Sequence, residues 1–365
     1  MEGLIFGLTA FILFILVLGS LVLIHELGHY LTARLFNVRV LEFGIGFPPR
    51  AKVLRSKGET LWTLNWLPIG GFVRLDGEDG DAADDPRSFS AQPLRVRLAI
   101  LVAGVAMNIV LAFAIFFLIA LVASPRVGIS TGEVEAGSPA AAAGLQAGDA
   151  ILGVNEERFE WFGERDVTDA LRGRAGETVA LLVKRADGRT ETVNATLRPA
   201  AQLSENVGAL GIRDLELVVA DGYVGHDIGR SAQIATGELT RWGGLILGGL
   251  GKLIGDFAAD PTARPQASGP IGIAVSLAEI FTSSGLVMTL YVAGILSVNL
   301  GVVNILPFPP LDGGRGAVLI IKRLFGSRVS LRAERMTYAI GMVVLLAFII
   351  WISGFDIANI GNPPP

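Results

Sequence analysis

The stretch His25-Glu26-Leu27-Gly28-His29 decides how the rest of this sequence is interpreted. In a helix, residues four positions apart share a face, so both imidazoles can reach one metal ion. The HExxH pattern is typical of a zinc site in which the glutamate acts as general base. The preceding segment, Leu4–Ile24, is apolar apart from Gly, Thr and Ser and is long enough to cross a bilayer. The N-terminus lacks the basic residues of a secretory signal, so we expect this span to be retained.

Composition sets the broad class of the protein. Of the 365 residues, 51% are hydrophobic and 18% are charged, which is typical of several membrane spans with a modest soluble domain. The net charge of −4 does not suggest nucleic acid as a partner. The chain has no cysteine, which excludes disulfides and cysteine-ligated zinc, and only three histidines, at positions 25, 29 and 226.

Three further apolar segments predict three more spans, namely Leu98–Val122, Leu286–Leu306 and Tyr338–Ile352 with its flanks. Basic residues are concentrated in the loop Arg34–Arg97 and again between residues 315 and 335. By the positive-inside rule both loops are cytoplasmic, so both chain ends lie outside. The HExxH motif is then expected near the cytoplasmic face of the membrane.

The first basic loop has the pattern of a small β element. Arg50–Leu54, Thr60–Trp66 and Gly71–Leu75 are predicted as short strands, with a turn at Pro68-Ile69-Gly70 between the last two. The middle strand is apolar on both faces. The element could dip into the bilayer if protein covers its backbone groups, or it could pack on the membrane surface. The acidic stretch Asp76–Asp85 is predicted to be a solvated loop.

The segment Val127–Pro199 is predicted to be a soluble domain on the outer face. Ser138–Asn155 resembles the best-marked stretch of PDZ domains, in which a short helix leads through a glycine turn into a strand. Strands are predicted at Val179–Lys184 and Arg189–Leu197, with a helix around Asp169. PDZ domains bind extended peptides by strand addition. A plug that only excludes large substrates is the alternative, and the sequence leaves both open.

Beyond residue 200 the signals are weaker. Apolar side chains recur at helical spacing from Ala235 to Phe257, which predicts an amphipathic helix at the membrane interface or ordinary packing against the bundle. His226 lies in a polar, glycine-rich stretch and is expected to be a surface imidazole. Within the second span, Asn108 should face the bundle interior and hold a partner, and interhelical bridging is its plainer explanation.

A catalytic zinc site normally has three protein ligands and an open position, so two histidines do not complete it. The missing ligand must lie at the depth of the HExxH motif, and the predicted topology places His226 on the opposite side of the membrane. Asp312 follows the third span, and the prolines within Pro307–Pro310 would unwind the helix so that its carboxylate turns inward. A turn residue is the ordinary role of such an aspartate, but the need for a ligand favours Asp312.

With these motifs in place, the sequence resembles the site-2 proteases, which are intramembrane zinc metalloproteases, and particularly the bacterial regulator-of-sigma-E type. Residues 25–29 match the family HExxH, and Asn304–Gly313 matches its N-x-x-P-x-P-x-L-D-G. Gly104–Asn108 matches the G-x-x-x-N of the second span, and Pro68–Leu75 looks like the re-entrant β element. Ser268–Ile273 resembles the G-P-I segment before the third span. One PDZ-like copy is recognisable, which is similar to the single-PDZ branch.

The resemblance implies cleavage of transmembrane segments of single-span membrane proteins, such as an anti-sigma factor or a remnant signal peptide, after a first cut by a site-1-type protease. Zn²⁺ would be held by His25, His29 and Asp312, with Glu26 as general base. The site would lie near the cytoplasmic side of a bacterial inner membrane, with the PDZ-like domain extracytoplasmic. Substrate-binding roles are expected for six residues: Asn299, Asn304, Asn108, Gly71, Phe72 and Val73.

Two other functions compete with this one. The first is a membrane-tethered PDZ adaptor with a non-catalytic zinc site, against which the intact Glu26 argues. The second is a metal transporter, which would need polar residues along several spans.

The expected fold is a polytopic α-helical membrane protein with four transmembrane helices, a membrane-associated β-hairpin element and one PDZ-like α+β domain. The expected segments are the first span (1–36), the β-containing loop (37–97), the second span (98–123), the PDZ-like domain (124–200), a linker with the interfacial helix (201–283), the third span (284–313), a cytoplasmic loop (314–335) and the fourth span with the tail (336–365).

Overall fold

The computed structural model describes residues 2–78, 85–163, 165–204, 207–260, 265, 267–326 and 330–358. The chain divides into two compact units. The first unit comprises Met1–Phe116 and Ala235–Pro365, and the second comprises Phe117–Ile234. The expected tail after residue 358 and most of the predicted acidic loop, residues 79–84, lie outside the described residues.

Among the described residues, four helices are long and apolar enough to cross a membrane: α1 (Glu2–Leu35), α2 (Leu94–Val122), α6 (Pro270–Asn304) and α8 (Leu331–Ala358). Their number and order agree with the four predicted spans. α1 leaves large apolar side chains such as Leu4, Phe11 and Leu16 exposed, as a surface that meets lipid tails would.

Helix α6 begins sixteen residues before the predicted third span, at Pro270 rather than Leu286. Proline is favoured in the first helical turn because its missing N–H has no partner there anyway. The backbone N–H groups of Gly269 and Gly272 donate to the carboxylate of Asp356, at 3.2 and 2.9 Å, so an acidic side chain from α8 caps this N-terminus. Gly285, with φ 76°, interrupts the helix where the sequence predicted it to start.

The β element consists of two long strands, β1 (Val40–Arg55) and β2 (Leu61–Leu75), rather than the three short strands expected. Pro68-Ile69-Gly70 lies inside β2, between the end that pairs with one edge of β1 and the end, Gly71–Leu75, that pairs with the other edge. The register sets Glu42 opposite both Arg74 and Leu61, so the first half of β1 lies between the two ends of β2. This half was not predicted because glycines and a Pro-Pro pair interrupt it, and these are weak strand formers.

A buried carboxylate holds the β element together. Glu42 is only 4% exposed and accepts hydrogen bonds from Arg50 and Thr63, both at 2.8 Å. The predicted solvated loop is partly anchored as well, because Asp76 and Asp85 both contact Arg39, at 3.1 and 2.8 Å.

Two helices complete the first unit. The predicted amphipathic helix lies within α5 (Ile228–Ala259), which begins in the second unit. Residues after Asp312, expected to form a loop, instead form α7 (Asp312–Phe325). This helix has an acidic residue in its first turn and two basic residues in its last, the arrangement that the helix dipole favours.

The second unit is built on a six-stranded sheet in the order β10-β3-β6-β5-β7-β8. The strands are β3 (Ser124–Ser130), β5 (Ala150–Val154), β6 (Glu157–Glu160), β7 (Thr178–Lys184), β8 (Thr190–Thr196) and β10 (Glu216–Val224). A short pair, β4 (Glu133–Val134) and β9 (Ile212–Arg213), stands apart. The remaining elements are α3 (Pro139–Ala142), α4 (Val167–Arg172) and a 3₁₀ turn (Ala200–Gln202).

The short elements of this unit form where the sequence predicted them. Ser138 caps α3 through a hydrogen bond from the Ala141 N–H, and Asp166 with Asp169 forms a capping box at α4. β7 and β8 coincide with the two predicted strands. The core comprises apolar side chains from the sheet and both helices, including Ile151, Leu181 and Val183, all 0% exposed.

The sheet continues beyond residue 200, where a linker was expected. β10 pairs antiparallel with β3, with Leu217 opposite Ile129 and Val219 opposite Val127. The signal for β10 was weak because its apolar run is short and Asp221-Gly222 interrupts it. The prediction of His226 as a surface imidazole was wrong. Its side chain is 14% exposed, and its Nε2 lies 3.4 Å from the Glu160 carboxylate.

Candidate active site

The HExxH motif lies in α1, with His25 and His29 only 6% and 8% exposed. Glycines let α2 approach this face of the helix. A Cβ on Gly28 would lie 2.4 Å from the carbonyl oxygen of Ala103. A Cβ on Gly104 would lie 2.5 Å from the His29 Nε2 atom, so only glycine fits behind the two imidazoles. This close approach explains the first residue of the Gly104–Asn108 motif.

The side chains of His25, His29 and Asp312 converge, although Asp312 lies 283 positions after His29 in the sequence. The Oδ2 atom of Asp312 lies 2.9 Å from the His25 Nε2 and 3.3 Å from the His29 Nε2. The two Nε2 atoms are 3.1 Å apart. Among the described residues, His25, His29 and Asp312 form a group whose ligand atoms lie close enough together for one metal ion to contact all three.

The other nitrogen of each imidazole also has a neighbour. The His29 Nδ1 lies 2.8 Å from the backbone carbonyl of Ile100, which can only accept a hydrogen bond. The His25 Nδ1 lies 3.2 Å from the side-chain amide of Asn108. Asn108 is itself fixed, since its backbone carbonyl accepts a 2.8 Å hydrogen bond from the Ser297 hydroxyl and its side chain is 0% exposed.

The position of Asp312 depends on the chain between α6 and α7. α6 ends at Asn304, and the proline-rich residues 305–311 are not helical, as the sequence predicted. The glycines after the aspartate let this segment fold back on the start of α7. A Cβ on Gly313 would lie 2.0 Å from the Ile305 carbonyl oxygen, and one on Gly314 would lie 2.4 Å from the Phe308 carbonyl carbon.

Glu26 faces a cleft of about 460 Å³ beside the three converging side chains. The end of β2 forms one wall of this cleft, through residues 71–75. A Cβ on Gly71 would lie 3.8 Å from the Glu26 Cγ, and the Val73 backbone is within hydrogen-bonding reach of the Glu26 carboxylate. The catalytic base expected from the sequence therefore lies against the strand expected to bind substrate.

The other predicted substrate residues divide between the cleft wall and positions away from it. Phe72 lines the cleft with its two neighbours in β2. Asn299 and Asn304 lie half-buried on the last turns of α6 and are not among the described residues that line the cleft. Asn108 is fully buried against His25. A substrate contact by these three asparagines stays a prediction.

Three charged residues of the cleft, Arg74, Glu78 and Arg315, were not among the predicted site residues. Arg315 and Glu78 both line it and form an ion pair. Arg315 lies three residues after Asp312, and this spacing on a helix would have placed it on the same face. Glu78 had no comparable signal, because the sequence placed it in a loop.

A buried pair of imidazoles with a third oxygen donor and a nearby glutamate, in a chain with four candidate spans, defines a membrane metallopeptidase. The family model described as peptidase family M50 matches residues 13–348. The chain therefore belongs to peptidase family M50, the site-2 protease family, and is a zinc-dependent peptidase of the multi-pass membrane type.

Several named proteins are similar over nearly the whole chain. A Brucella suis protein named "Putative zinc metalloprotease" is 31% identical over 383 residues, which cover 98% of this chain and 96% of the relative. A Mesorhizobium japonicum protein with the same designation is 31% identical over 369 residues, covering 94% and 97%. The Geobacillus kaustophilus protein named zinc metalloprotease RasP is 28% identical over 431 residues, covering 96% and 98%.

Proposed function

We propose that this chain cleaves transmembrane segments of single-span membrane proteins, with His25, His29 and Asp312 as zinc ligands and Glu26 as general base. The convergence of two histidines within one candidate span with an aspartate that follows another carries this proposal. An adaptor with a non-catalytic zinc site is the weaker alternative, because Glu26 opens onto a cleft large enough for a peptide segment.

The chemistry of the three donors fits zinc. Two imidazole nitrogens and one carboxylate oxygen are a ligand set that catalytic zinc sites use, with the fourth position open. With bonds of about 2.1 Å in a tetrahedron, neighbouring ligand atoms would be about 3.4 Å apart. The observed separations of 2.9, 3.1 and 3.3 Å lie a few tenths of an ångström below that spacing. Zinc bound there supplies Lewis acidity, which activates water and polarises the scissile carbonyl.

The neighbours of the imidazoles fix which nitrogen is available. Since the Ile100 carbonyl only accepts, the His29 Nδ1 carries the proton and leaves Nε2 as the donor. For His25 to do the same, its Nδ1–H needs an acceptor. The Asn108 Oδ1 atom is buried without a hydrogen-bond partner among the described residues, and a half-turn of the amide places it against this N–H. Asn108 then orients His25.

Glu26 moves the proton in this proposal. Its carboxylate takes a proton from the attacking water and passes it to the nitrogen of the leaving amine. The Val73 backbone lies beside this carboxylate at the wall of the cleft. The same residue therefore works as base in one half of the reaction and as acid in the other.

A transmembrane helix hides its carbonyl groups in its own hydrogen bonds, so a substrate must be locally unwound before cleavage. Gly71–Leu75 pairs with the first half of β1 on one side, and Glu26 is next to it. We expect the unwound segment to add to this strand as an extended chain. Asn299 and Asn304 are proposed to hold its backbone, as the family resemblance implies.

The surroundings of the site are assigned in the same way. The β element is proposed to be membrane-associated, the site to lie near the cytoplasmic face of a bacterial inner membrane, and the second unit to be a PDZ-like domain on the other face. This domain would admit only substrates that a first protease has trimmed, by exclusion or by binding their new C-terminus. The basic residues of the two segments Arg34–Arg97 and 315–335 support the orientation.

The direct test is Glu26→Gln in the full chain, reconstituted with a single-span membrane substrate. Zinc content and substrate binding should be retained, while cleavage is lost. Glu279→Gln is the matched control, because Glu279 is an exposed carboxylate on another candidate span. Normal turnover by the Glu26 variant would refute the assignment, and membrane proteins that accumulate in cells carrying it would identify substrates.

The proposed exclusion of untrimmed substrates is tested by removing the whole sheet of the second unit. Because β10 pairs with β3, the deletion must run from Ser124 to Val224 rather than stop near residue 200. The shortened enzyme should cleave untrimmed substrates that the full chain leaves intact. If untrimmed substrates stay resistant, the second unit does not exclude them.

A further inference from the structure

A second cavity, of about 70 Å³, lies next to the active-site cleft in the first unit. Its walls come from the start of α2, from α7, from the start of α8 and from the chain after β2. Six of the twelve lining residues are charged. They are Arg97, Arg315, Lys322 and Arg335 on the basic side and Glu78 and Glu334 on the acidic side.

The positive charge in this cavity exceeds the negative charge. Lys322 pairs with Glu334 at 2.6 Å, and Arg315 pairs with Glu78. Four cationic side chains and two carboxylates are among the described lining residues. The Nε atom of Arg97 is buried and has no hydrogen-bond partner within the described part of the chain. A buried guanidinium N–H calls for an acceptor, which a water, an ion or a ligand can supply.

The cavity also lies at a defined place relative to the membrane. Arg97 is in the first turn of α2 and Arg335 in the first turn of α8, so both stand at the ends of candidate spans. Leu101, Leu319 and Tyr338 provide apolar and aromatic lining. Charged walls with apolar side chains at the end of a span match the boundary between lipid headgroups and acyl chains.

We propose that this cavity binds the phosphate group of an anionic phospholipid. Guanidinium groups bind phosphate oxygens through charge-assisted, often bidentate hydrogen bonds, and a phosphate would satisfy the Arg97 Nε–H. Basic pockets between membrane helices recognise anionic headgroups by this chemistry. Free phosphate offers the same oxygens, but the position at the span ends favours the lipid.

The lipid site is connected to the catalytic centre through shared residues. Glu78, Leu101 and Arg315 line both the cavity and the cleft. Arg315 lies one helical turn after Asp312, and Glu78 follows the strand beside Glu26. A phosphate near Arg315 therefore acts on the ion pair between Arg315 and Glu78. This pair joins α7, the helix that begins at Asp312, to the end of β2. Anionic lipid is expected to raise the rate of cleavage.

Binding is tested on the purified full chain by native mass spectrometry, with phosphatidylglycerol as the probe and no substrate present. Arg97→Gln should weaken binding about fivefold, the value of one basic residue near an anionic headgroup. Arg95→Gln is the matched control. Arg95 is exposed on the same turn and does not line the cavity, so its variant should bind as the native chain does. Zinc content checks that each variant is folded. If Arg97→Gln does not fold, Arg335→Gln is measured in its place.

Two results would overturn the proposal. Equal losses in the Arg95 and Arg97 variants would mean unspecific attraction to surface charge. Displacement of the lipid by inorganic phosphate at equal concentration would mean that the site takes free phosphate. Because lipid binding is measured without proteolysis, failure here is distinct from failure of the proposed cleavage, which the Glu26→Gln comparison tests separately.

Discussion

The two units of this protein differ in what their interiors contain. The second unit buries an apolar core, and its buried Asp149 pairs with Arg185 at 2.6 Å. The first unit buries His25, His29 and Glu42 in addition to Asn108. Burying polar groups costs free energy in both, and the cost is greater where lipid rather than water surrounds the protein. The buried imidazoles and Asn108 therefore mark the candidate site in the first unit, where Glu42 instead holds the β element together, whereas buried apolar groups explain the stability of the second.

The largest effect expected from this contrast is the loss of the metal on Asp312→Ala. Removing the third ligand should leave two imidazoles, which do not hold zinc in a stable catalytic site. Zinc content should fall from one ion per chain to none, and cleavage should stop. Glu26→Gln is the control that keeps zinc. Full zinc occupancy in the Asp312 variant would show that this carboxylate is not a ligand, and the site would then need another third donor.

The next effect concerns the core of the second unit. Leu181→Ala removes a fully buried side chain of β7 and should lower the free energy of unfolding of that unit by about 2–5 kcal/mol. Hydrogen exchange of the β7 amides should accelerate while zinc content stays unchanged. Leu217→Ala, at a side chain that is 53% exposed, should change stability by less than about 0.5 kcal/mol. Equal exchange in the two variants would contradict the assigned core.

A smaller effect is expected at Asn108, the residue proposed to orient His25. Asn108→Ala removes the acceptor for the Nδ1–H and should weaken zinc binding about 10- to 100-fold, the usual cost of losing such a partner. Competition with a zinc chelator measures this directly. Asn108→Asp keeps an acceptor oxygen and should recover part of the affinity. If the alanine variant binds zinc normally but loses affinity for substrate, Asn108 contacts substrate, as the sequence suggested.

The smallest effect lies on the surface of the first unit. Hydrogen bonds from Arg87 and Arg34 lower the pKa of Glu59 to about 2. Because this value lies below the unfolded one of about 4.3, the pair contributes stability above that pH and loses it as the pH falls. Carbon NMR of the Glu59 carboxyl should therefore give a midpoint near the lower value. A midpoint at the unfolded value would mean that the exposed pair does not form in solution.

Motif spacing predicted the parts of the molecule that local chemistry determines. HExxH places two imidazoles on one helical face wherever the helix lies. The choice of Asp312 followed from the need for a third ligand and from span topology, and the structure brings its carboxylate to the two histidines. Four apolar segments predicted four helices because length and hydropathy suffice for that.

Long-range pairing determines what the sequence could not predict. The first half of β1 is a strand because both ends of β2 pair with it, although its glycines and prolines oppose that structure. β10 is a strand because β3 lies beside it, and His226 is covered because it meets Glu160. The partner of Arg315 could not be predicted, because nothing in the sequence around Glu78 indicates that α7 lies beside it.

X-ray absorption at the zinc edge of the purified full chain tests the central claim most directly. We expect one zinc with two imidazole nitrogens and a carboxylate oxygen at about 2.0–2.1 Å, and a spectrum that Glu26→Gln leaves unchanged. A shell with three imidazoles, which would require His226, would contradict it, as would a zinc spectrum that survives Asp312→Ala unaltered.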